Sequence, residues 1–294
     1  MTIPICLSPL KFYDKLSKQS HRKSYAFGNI SPLIAKLHTI PSFQFVLPAN
    51  MQNATLKEAH LYDAKSDNAR YTYIEESLNE TGFFIKRYGN YDIAIYLGNL
   101  PIQKFIMYEG IYYLKLIFTN NTDTAEFYSE VFCLTNNTDD CLEIEYWNES
   151  NNFNIKGGLV VFPKQFRFKL LLKTEIGKPE YTFEEESTKR LGYTFVESQV
   201  SKKIYKFNAI VPEFICDAMR LIRLCDNKII RSRDDEYEAI TFEMEPEWQT
   251  QGDLASVTCE FETDNVIVNL GGFMPERHTN GDFNDDFNDD FKNN

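Results

Sequence analysis

The sequence has no long hydrophobic run and no closely spaced pair of cysteines, and its basic residues are fewer than its acidic ones. Without about 18 consecutive apolar residues, no transmembrane helix is expected. The first residues, MTIPICLSPL, lack the basic start and long apolar core of a signal peptide. Lys and Arg number 31 against 43 Asp and Glu, which gives a formal net charge of -12. This balance argues against nucleic acids and anionic membranes as partners, because both attract clustered Lys and Arg.

The six cysteines and four histidines do not form a metal-ligand pattern. Structural zinc is usually held by closely spaced ligand pairs, but the sequence has no C-x-x-C motif and its histidines lie far from the cysteines. We therefore expect free, buried thiols in a reducing compartment, and neither a metal nor a cofactor. Cys133 and Cys141 flank a turn, TNNTDD, and could bridge it if oxidised.

Strand-forming residues are abundant. The chain has 294 residues, of which 43% are apolar and 15% aromatic, with 24 Phe and 17 Tyr. This length is sufficient for two domains, each with its own core. The aromatic content favours β-structure, so we predict a mainly β fold, in the range from all-β to α+β.

The pattern along the chain predicts four segments. Residues 1–40 are predicted to form an extended arm, because their apolar residues show no helical or strand periodicity and the segment contains prolines. Residues 41–136 contain about seven short strands and predict a β-sandwich of immunoglobulin or fibronectin type. Residues 137–272 predict an antiparallel β-rich unit with one packed helix at 212–225. Residues 273–294 repeat Phe-Asn-Asp-Asp and predict a disordered acidic tail.

Two local patterns sharpen this prediction. Gly89 and Asn90 lie between two apolar strands and accept positive φ, so they predict a two-residue hairpin loop. In the strand LEIEYW, residues alternate between two faces. The apolar face has Leu142, Ile144 and Tyr146, and the opposite face has Glu143, Glu145 and Trp147.

The stretch VPEFICDAMRLIRLCDN, residues 211–227, carries two cysteines. On a helix of about 100° per residue, Cys216 and Cys225 point to opposite sides, so they cannot share a metal or a disulfide. Cys225 falls on the apolar stripe, whereas Cys216 falls on the face of Arg220 and Arg223. We interpret the stretch as an amphipathic packing helix whose polar face is either solvated or meets a partner.

No enzyme motif stands out, so no catalytic residue is assigned. Glu184, Glu185 and Glu186 form a carboxylate run that is typical of a solvated strand end. Glu143 and Glu145 share a strand face with Trp147, a combination found in carbohydrate clefts, but alternating charge on a solvent face explains it equally well.

Several stretches occur together in an order that resembles a family of proteins encoded by phages and prophages of Bacteroidota. They are HRKSYAFGNISPLIAKLHTIPSFQF, GFFIKRYGNYDIAIYLGNLPI, GIYYLKLIF with FYSEVFCL, LEIEYWN, TEIGKPEYTFEEES, and SQVSKKIYKFNAIVPEFICDAMRLIRLCDN, within about residues 10–245. Such proteins are generally encoded among virion structural genes. One departure is the loop EEESTKRLGYTF, which is usually rich in glycine and acid but carries Lys189 and Arg190 here.

The resemblance implies a structural, non-enzymatic component of the tail, baseplate or neck of a virion, assembled in the host cytoplasm. Expected partners are other virion proteins and further copies of the chain in a ring, with no nucleic acid or membrane. Ring contacts are heterologous, so we expect the arm of one subunit to clasp its neighbour. The interaction residues that we predict are His21, Arg22, Lys23, Tyr25, Phe27, Arg220 and Arg223.

Two other function classes stay open. Trp147 and the many tyrosines are compatible with a receptor- or glycan-binding module of the virion, which exposed aromatic residues in a concave patch would favour. A wall-degrading hydrolase would instead require two facing carboxylates or a histidine-centred metal site.

Overall fold

The computed structural model describes most of the chain. The described residues are 5–6, 8–18, 33–98, 107–149, 153–155, 158–160, 162–163, 165–190, 193–233, 235–248, 254–263 and 267–270.

Within these residues the chain forms 22 β-strands, two α-helices and two 3₁₀ turns. The helices are α1 (Glu75–Glu80) and α2 (Glu213–Leu224), and the 3₁₀ turns are Leu16–Lys18 and Ala49–Met51. The strands are β1 (Ile5–Cys6), β2 (Phe12–Tyr13), β3 (Leu33–Lys36), β4 (Phe43–Val46), β5 (Thr55–Asp63), β6 (Ala69–Tyr71), β7 (Phe83–Tyr88), β8 (Tyr91–Tyr96), β9 (Gly110–Thr119), β10 (Thr124–Ser129), β11 (Phe132–Thr135), β12 (Leu142–Trp147), β13 (Phe153–Ile155), β14 (Gly158–Val160), β15 (Phe168–Leu172), β16 (Glu180–Arg190), β17 (Tyr193–Pro212), β18 (Asn227–Ser232), β19 (Asp235–Glu238), β20 (Glu243–Trp248), β21 (Leu254–Glu262) and β22 (Ile267–Leu270). This content confirms the prediction of a mainly β fold with one packed helix.

The chain divides into two compact units. Unit 1 comprises Met1–Pro179 and Ile204–Asp264, and unit 2 comprises Glu180–Lys203 and Asn265–Asn294. Strand β17 contributes residues to both units.

Unit 1 is built around an eleven-stranded mixed sheet. Its main path runs β19-β18-β12-β15-β3-β11-β9-β10-β2, with β5 paired to β9 and β6 paired to β5. Its paired strands are antiparallel except β3 and β11, which run parallel with Leu33 opposite Phe132. The predicted alternation in β12 is confirmed, because Leu142, Ile144 and Tyr146 are fully buried in the core.

The observed division differs from the predicted domains. The large sheet joins β9, β10 and β11 to β12, β15 and β18, so it crosses the predicted boundary near residue 136. The predicted arm also enters this sheet, because β3 lies between β11 and β15. Leu33, Ile34 and Ala35 are buried there, and this apolar run provides the side chains that a central strand needs. The predicted tail, 273–294, lies outside the described residues.

A three-stranded sheet, ordered β4-β8-β7, faces part of the large sheet across an aromatic core. The ring of Phe45 lies 4.8 Å from that of Phe127 and 5.9 Å from that of Phe118, measured between centroids. Phe83 adds a contact with Phe118 at 6.1 Å. These offset and edge-on contacts are the arrangement that aromatic rings prefer, and they hold the two layers together as in a sandwich.

The predicted hairpin between β7 and β8 is confirmed. Tyr88 pairs with Tyr91, which leaves Gly89 and Asn90 as the two-residue loop. Gly89 has a φ of 59°, a backbone conformation that glycine adopts without steric cost.

Helix α2 follows Pro212 and packs against β20 and β21. Its observed range agrees with the prediction of a helix at 212–225. The prediction that Cys216 lies on the polar face is wrong, because Cys216 is buried along with the apolar stripe. The reason is tertiary: two strands cover a wider arc of the helix than the sequence pattern indicates. Its buried residues are Phe214, Ile215, Cys216, Ala218, Met219, Leu221 and Ile222.

Candidate interaction site

Two of the predicted interaction residues lie on the solvent side of α2. Arg220 donates a hydrogen bond to Asp217 at 3.3 Å, and Arg223 donates one to Glu243 at 3.4 Å. Both guanidinium groups are about two-thirds exposed, so these ion pairs are weak and the arginines stay accessible. The other predicted residues lie outside the described part of the chain: His21, Arg22, Lys23, Tyr25 and Phe27.

Unit 2 presents a more prominent surface, which we call the ribbon. It consists of β16, residues 193–203 of β17, and β22, with β17 in the middle. Among the ribbon residues whose side-chain burial is described, none is buried. Its large apolar side chains face solvent: Phe183 is 79% exposed, Ile267 73% and Tyr181 61%.

Two hydrogen bonds and one ion pair between side chains show which face of the ribbon each residue of Glu184–Glu186 occupies. Glu185 accepts one from Gln199 at 3.0 Å, so these two residues lie on one face. Glu186 accepts one from Ser198 at 3.2 Å, and Glu184 forms an ion pair with Lys202 at 3.0 Å. Because side chains alternate along a strand, the two sets of contacts lie on opposite faces.

Tyr181 and Phe183 lie on the face of Glu185, two and four residues away along β16. Ile267 joins them, because it pairs with Ser201, which is two residues from Gln199. We call this surface the aromatic face. Its described members include Tyr181, Phe183, Glu185, Gln199, Ser201 and Ile267.

A sheet of this kind lacks the usual source of stability. Small sheets in water need a buried hydrophobic face or a packed helix, since hydrogen bonds alone contribute little net free energy. The most exposed of the ribbon's apolar side chains share the aromatic face, while Val196 and Val268 are exposed on the opposite face. Exposed apolar side chains in such number indicate a surface that another molecule covers. The ribbon is therefore the candidate interaction site. The sequence prediction missed it because the Glu184–Glu186 run masks the alternation of Tyr181 and Phe183.

A cluster of charged residues lies on the outward face of β12, β15 and β18. Arg231 contacts Glu143 at 2.8 Å through Nη1 and Glu236 at 2.6 Å through Nε, and it also bonds Glu145. Arg167 donates a hydrogen bond to Glu145 at 3.1 Å. Lys169 donates one to Glu143 at 3.2 Å. We call these six residues the ionic cluster.

The protonation chemistry of the ionic cluster indicates a structural role. Burial alone would raise the pKa of Glu145, but hydrogen bonds from Arg231 and Arg167 outweigh it and lower that pKa below its usual value. Burial alone would lower the pKa of Arg231, but its hydrogen bonds to Glu145, Glu236 and Glu143 raise it. A general acid needs a raised carboxyl pKa, so Glu145 is suited to ion pairing and unsuited to proton donation at neutral pH.

Trp147 also belongs to this face of β12, and one side of its ring is covered. The guanidinium carbon of Arg167 lies 4.2 Å from the ring centroid of Trp147, which is a cation–π contact. A sugar would have to displace this arginine to stack on the same side of the ring. The arrangement of Glu143, Glu145 and Trp147 that resembled a carbohydrate cleft in the sequence is thus occupied by the protein's own cations.

His60 is the histidine with the most defined surroundings. Its Nε2 lies 3.2 Å from Glu58, and its ring contacts Tyr73 edge-on at 5.4 Å. Its Nδ1 is buried and has no hydrogen-bond partner among the described residues. A catalytic base needs one nitrogen held by an orienting group and the other open to substrate. Here the second nitrogen is inaccessible, so His60 does not meet this condition.

A cleft of about 590 Å³ opens between β2 and β4, at the edges of the two facing sheets. Its size lies in the range of ligand sites, and its lining is mainly apolar. Sequence patterns could not indicate it, because its lining comes from four separate segments. The lining residues are Lys11, Phe12, Tyr13, Asp14, Lys18, Gln44, Phe45, Val46, Leu47, Pro48, Ala49, Tyr91 and Phe127.

The described residues contain no group of three or more His, Cys, Asp and Glu side chains placed to hold a metal ion. Cys133, Cys141, Cys216, Cys225 and Cys259 are free thiols. Burial raises the pKa of Cys216 to about 11 and that of Cys225 to about 12, which suppresses the reactive thiolate. In the same part of the chain, no helix combines the length and apolarity needed to cross a bilayer.

Comparison with known proteins adds no relative. No family model, curated protein or solved structure matches the chain.

Proposed function

We propose that the chain is a structural subunit of a tailed-phage virion, located in the tail, baseplate or neck. In this role it assembles with other virion proteins and with further copies of itself into a ring-like complex. The observation that supports this proposal is the ribbon, in which Phe183, Ile267 and Tyr181 face solvent. The resemblance of the sequence to virion proteins of Bacteroidota phages provides the specific setting.

The ribbon would gain free energy from a partner that covers its apolar side chains. Each exposed large apolar side chain gains about 1.5–3 kcal/mol when it is fully removed from water. Unit 1 buries its own phenylalanines, so it is self-sufficient, whereas the ribbon reaches comparable burial only against another surface. A partner can cover the aromatic face or add a strand to the sheet, and both are common modes of subunit assembly. Arg220 and Arg223, with their exposed partners Asp217 and Glu243, offer a second, charged surface for a heterologous contact.

The test is the composition of purified particles. Virions from a bacterium whose prophage encodes the chain would be purified, cross-linked and analysed by mass spectrometry. We expect peptides of the chain at the stoichiometry of a structural protein, with cross-links from Lys189, Lys202 or Lys203 of the ribbon to other virion proteins. If the chain is missing from the particles and is recovered only in the soluble lysate, the proposal fails.

The cleft between β2 and β4 favours a second candidate, a receptor- or glycan-binding module. Phe12, Tyr13 and Tyr91 line it and are only partly buried, and Lys11, Asp14 and Gln44 provide polar groups beside them. Sugars bind such surfaces by stacking on aromatic rings and by hydrogen bonds to polar neighbours. A glycan array would test it, with Tyr13→Ala and Tyr91→Ala as variants. Glycan binding that both variants abolish would favour the module, and an empty array would eliminate it.

A further inference from the structure

The outer edge of β16 is suited to pairing with another strand. Strand β16 forms an end of its sheet, and among the described strands it pairs only with β17. It is 11 residues long and contains no proline. Edge strands are usually short, bulged or interrupted, because an open row of backbone N–H and C=O groups recruits another strand. Strand β16 has neither a short length nor a proline to block pairing.

Charges are distributed unevenly along this edge. Glu184, Glu185 and Glu186 lie in the middle of β16, and Lys189 lies near its end, followed in the sequence by Arg190. The glutamates contact β17, but Lys189 has no ion-pair partner among the described residues. The strand is therefore acidic in one part and basic in the other, which makes it complementary to an antiparallel copy of itself.

We propose that two copies of the chain pair through their β16 strands, antiparallel, about a two-fold axis at Ser187. In this register Glu185 of one copy lies directly opposite Lys189 of the other, and Glu184 lies opposite position 190. Glu185 and Lys189 are four residues apart, so regular alternation along β16 places them on one face, and directly opposite residues in an antiparallel pair also share a face. The two charges therefore meet on the same side of the joined sheet.

The charges also disfavour two competing arrangements. If the two strands overlapped along their whole length, Glu185 would lie opposite Glu185 of the second copy, and Glu184 opposite Glu186. Parallel pairing in register would place every glutamate beside its own copy. Like charges directly opposite each other are unfavourable, so the glutamates disfavour both of these arrangements.

Pairing of this kind would create a larger apolar surface. The two-fold axis is perpendicular to the sheet, so the aromatic faces of both copies point to the same side. Tyr181 and Phe183 of each copy then belong to one continuous sheet. An isologous contact closes with two copies, so it joins two subunits or two rings and does not extend a ring. This inference does not depend on whether the chain belongs to a virion.

The first test measures the oligomeric state of the full-length chain by sedimentation velocity over a range of concentrations. We expect a reversible dimer. The variant Glu184→Lys with Glu185→Lys should weaken it by at least about tenfold in dissociation constant, as should Lys189→Glu with Arg190→Glu. An equimolar mixture of the two variants should restore the dimer, because opposite charges then face each other again.

Glu180→Lys is the matched control, since residue 180 lies outside the overlap of residues 184–190. It should leave the dissociation constant unchanged, whereas in the full-length register it would face position 190 and weaken pairing. Circular dichroism would establish that each variant keeps the wild-type secondary structure. A wild-type chain that is monomeric at all concentrations, or a dimer that ignores the charge reversals, would overturn the proposal.

A second test locates the axis. A cysteine introduced as Ser187→Cys would face its own copy at about 4.5–5.5 Å between Cα atoms, which is within disulfide range. Mild oxidation should therefore produce a covalent dimer on a non-reducing gel. Thr182→Cys is outside the overlap and should remain monomeric, as should the wild-type chain. Equal cross-linking of both variants would show that the strands do not pair in this register.

Discussion

The core of unit 1 and the ribbon of unit 2 use similar residues under opposite conditions. Phe118 is fully buried between the two facing sheets, whereas Phe183 is 79% exposed on the aromatic face. Both lie on long strands with alternating apolar residues. Alternation along a strand therefore decides which face of the sheet a residue occupies, but only a second packed layer decides whether that face is buried.

Truncating the two phenylalanines gives the largest expected contrast. Phe118→Ala should lower the free energy of unfolding by about 3–5 kcal/mol, because it removes a ring in contact with Phe45, Phe83 and Phe127 and leaves a cavity. Phe183→Ala is the matched control and should change it by less than about 0.5 kcal/mol. Urea unfolding of the monomeric chain measures both. A large loss from Phe183→Ala would mean that the ribbon carries its own core.

The ion pairs of the two units should also differ in how much they stabilise the fold, and the buried pairs of unit 1 should contribute more. Glu145→Gln should destabilise the chain by about 2–3 kcal/mol, because the side chain of Glu145 is only 5% exposed and its loss removes the buried negative charge that both Arg231 and Arg167 contact. Glu184→Gln should cost less than about 1 kcal/mol, because that pair with Lys202 is solvated. Similar losses from both substitutions in urea unfolding would contradict the distinction.

The lowered pKa of Glu145 also predicts how the stability of the chain depends on pH. The pKa of Glu145 is lowered in the folded chain, so its contribution is complete above the unfolded value of about 4.3. That contribution is lost as the pH falls through the folded-state pKa, because the protonated carboxyl no longer pairs with the arginines. Between pH 7 and pH 3, Glu145→Gln should therefore lose less stability than the wild-type chain. Parallel stability curves for the two chains would contradict this.

Buried thiols allow a further comparison. Replacing Cys216 and Cys225 together by Ala should lower the free energy of unfolding by about 2 kcal/mol, because packing contacts are lost. The double variant should lose no bound metal, which elemental analysis can verify. In the native chain Cys216, Cys225 and Cys259 should not react with a thiol reagent, because burial raises the pKa of each. A cysteine introduced as Phe183→Cys should react at the rate of a free thiol. Rapid labelling of Cys259 would show that the core opens readily.

The smallest effect is expected on helix α2. Arg220→Ala and Arg223→Ala should each change the free energy of unfolding by less than about 0.5 kcal/mol, because their ion pairs are exposed. If these arginines meet a partner, the same variants should weaken cross-linking within particles while the chain stays folded. Strong destabilisation by either variant would assign the arginines to the fold instead.

Much of the local structure was predictable because it depends on local chemistry. Gly89 and Asn90 specify a hairpin through their tolerance of positive φ, and Glu213–Leu224 is helical as its apolar spacing indicates. The burial of Cys216 was not predictable, because it depends on β20 and β21 covering one side of the helix. The role of residues 33–36 was missed for a similar reason: a short apolar run becomes a central strand only when β11 and β15 flank it.

The sequence by itself determined the mainly β character, the strand faces and the packing helix, because alternation and helical spacing are properties of the backbone repeat. Only the tertiary structure decided which strands are neighbours, and it joined segments far apart in the chain into one large sheet. It also decided that Glu143 and Glu145 meet Arg231 and that Tyr181 and Phe183 face solvent. The physical reason is that burial and ion pairing depend on what covers a residue, and covering layers come from anywhere in the chain.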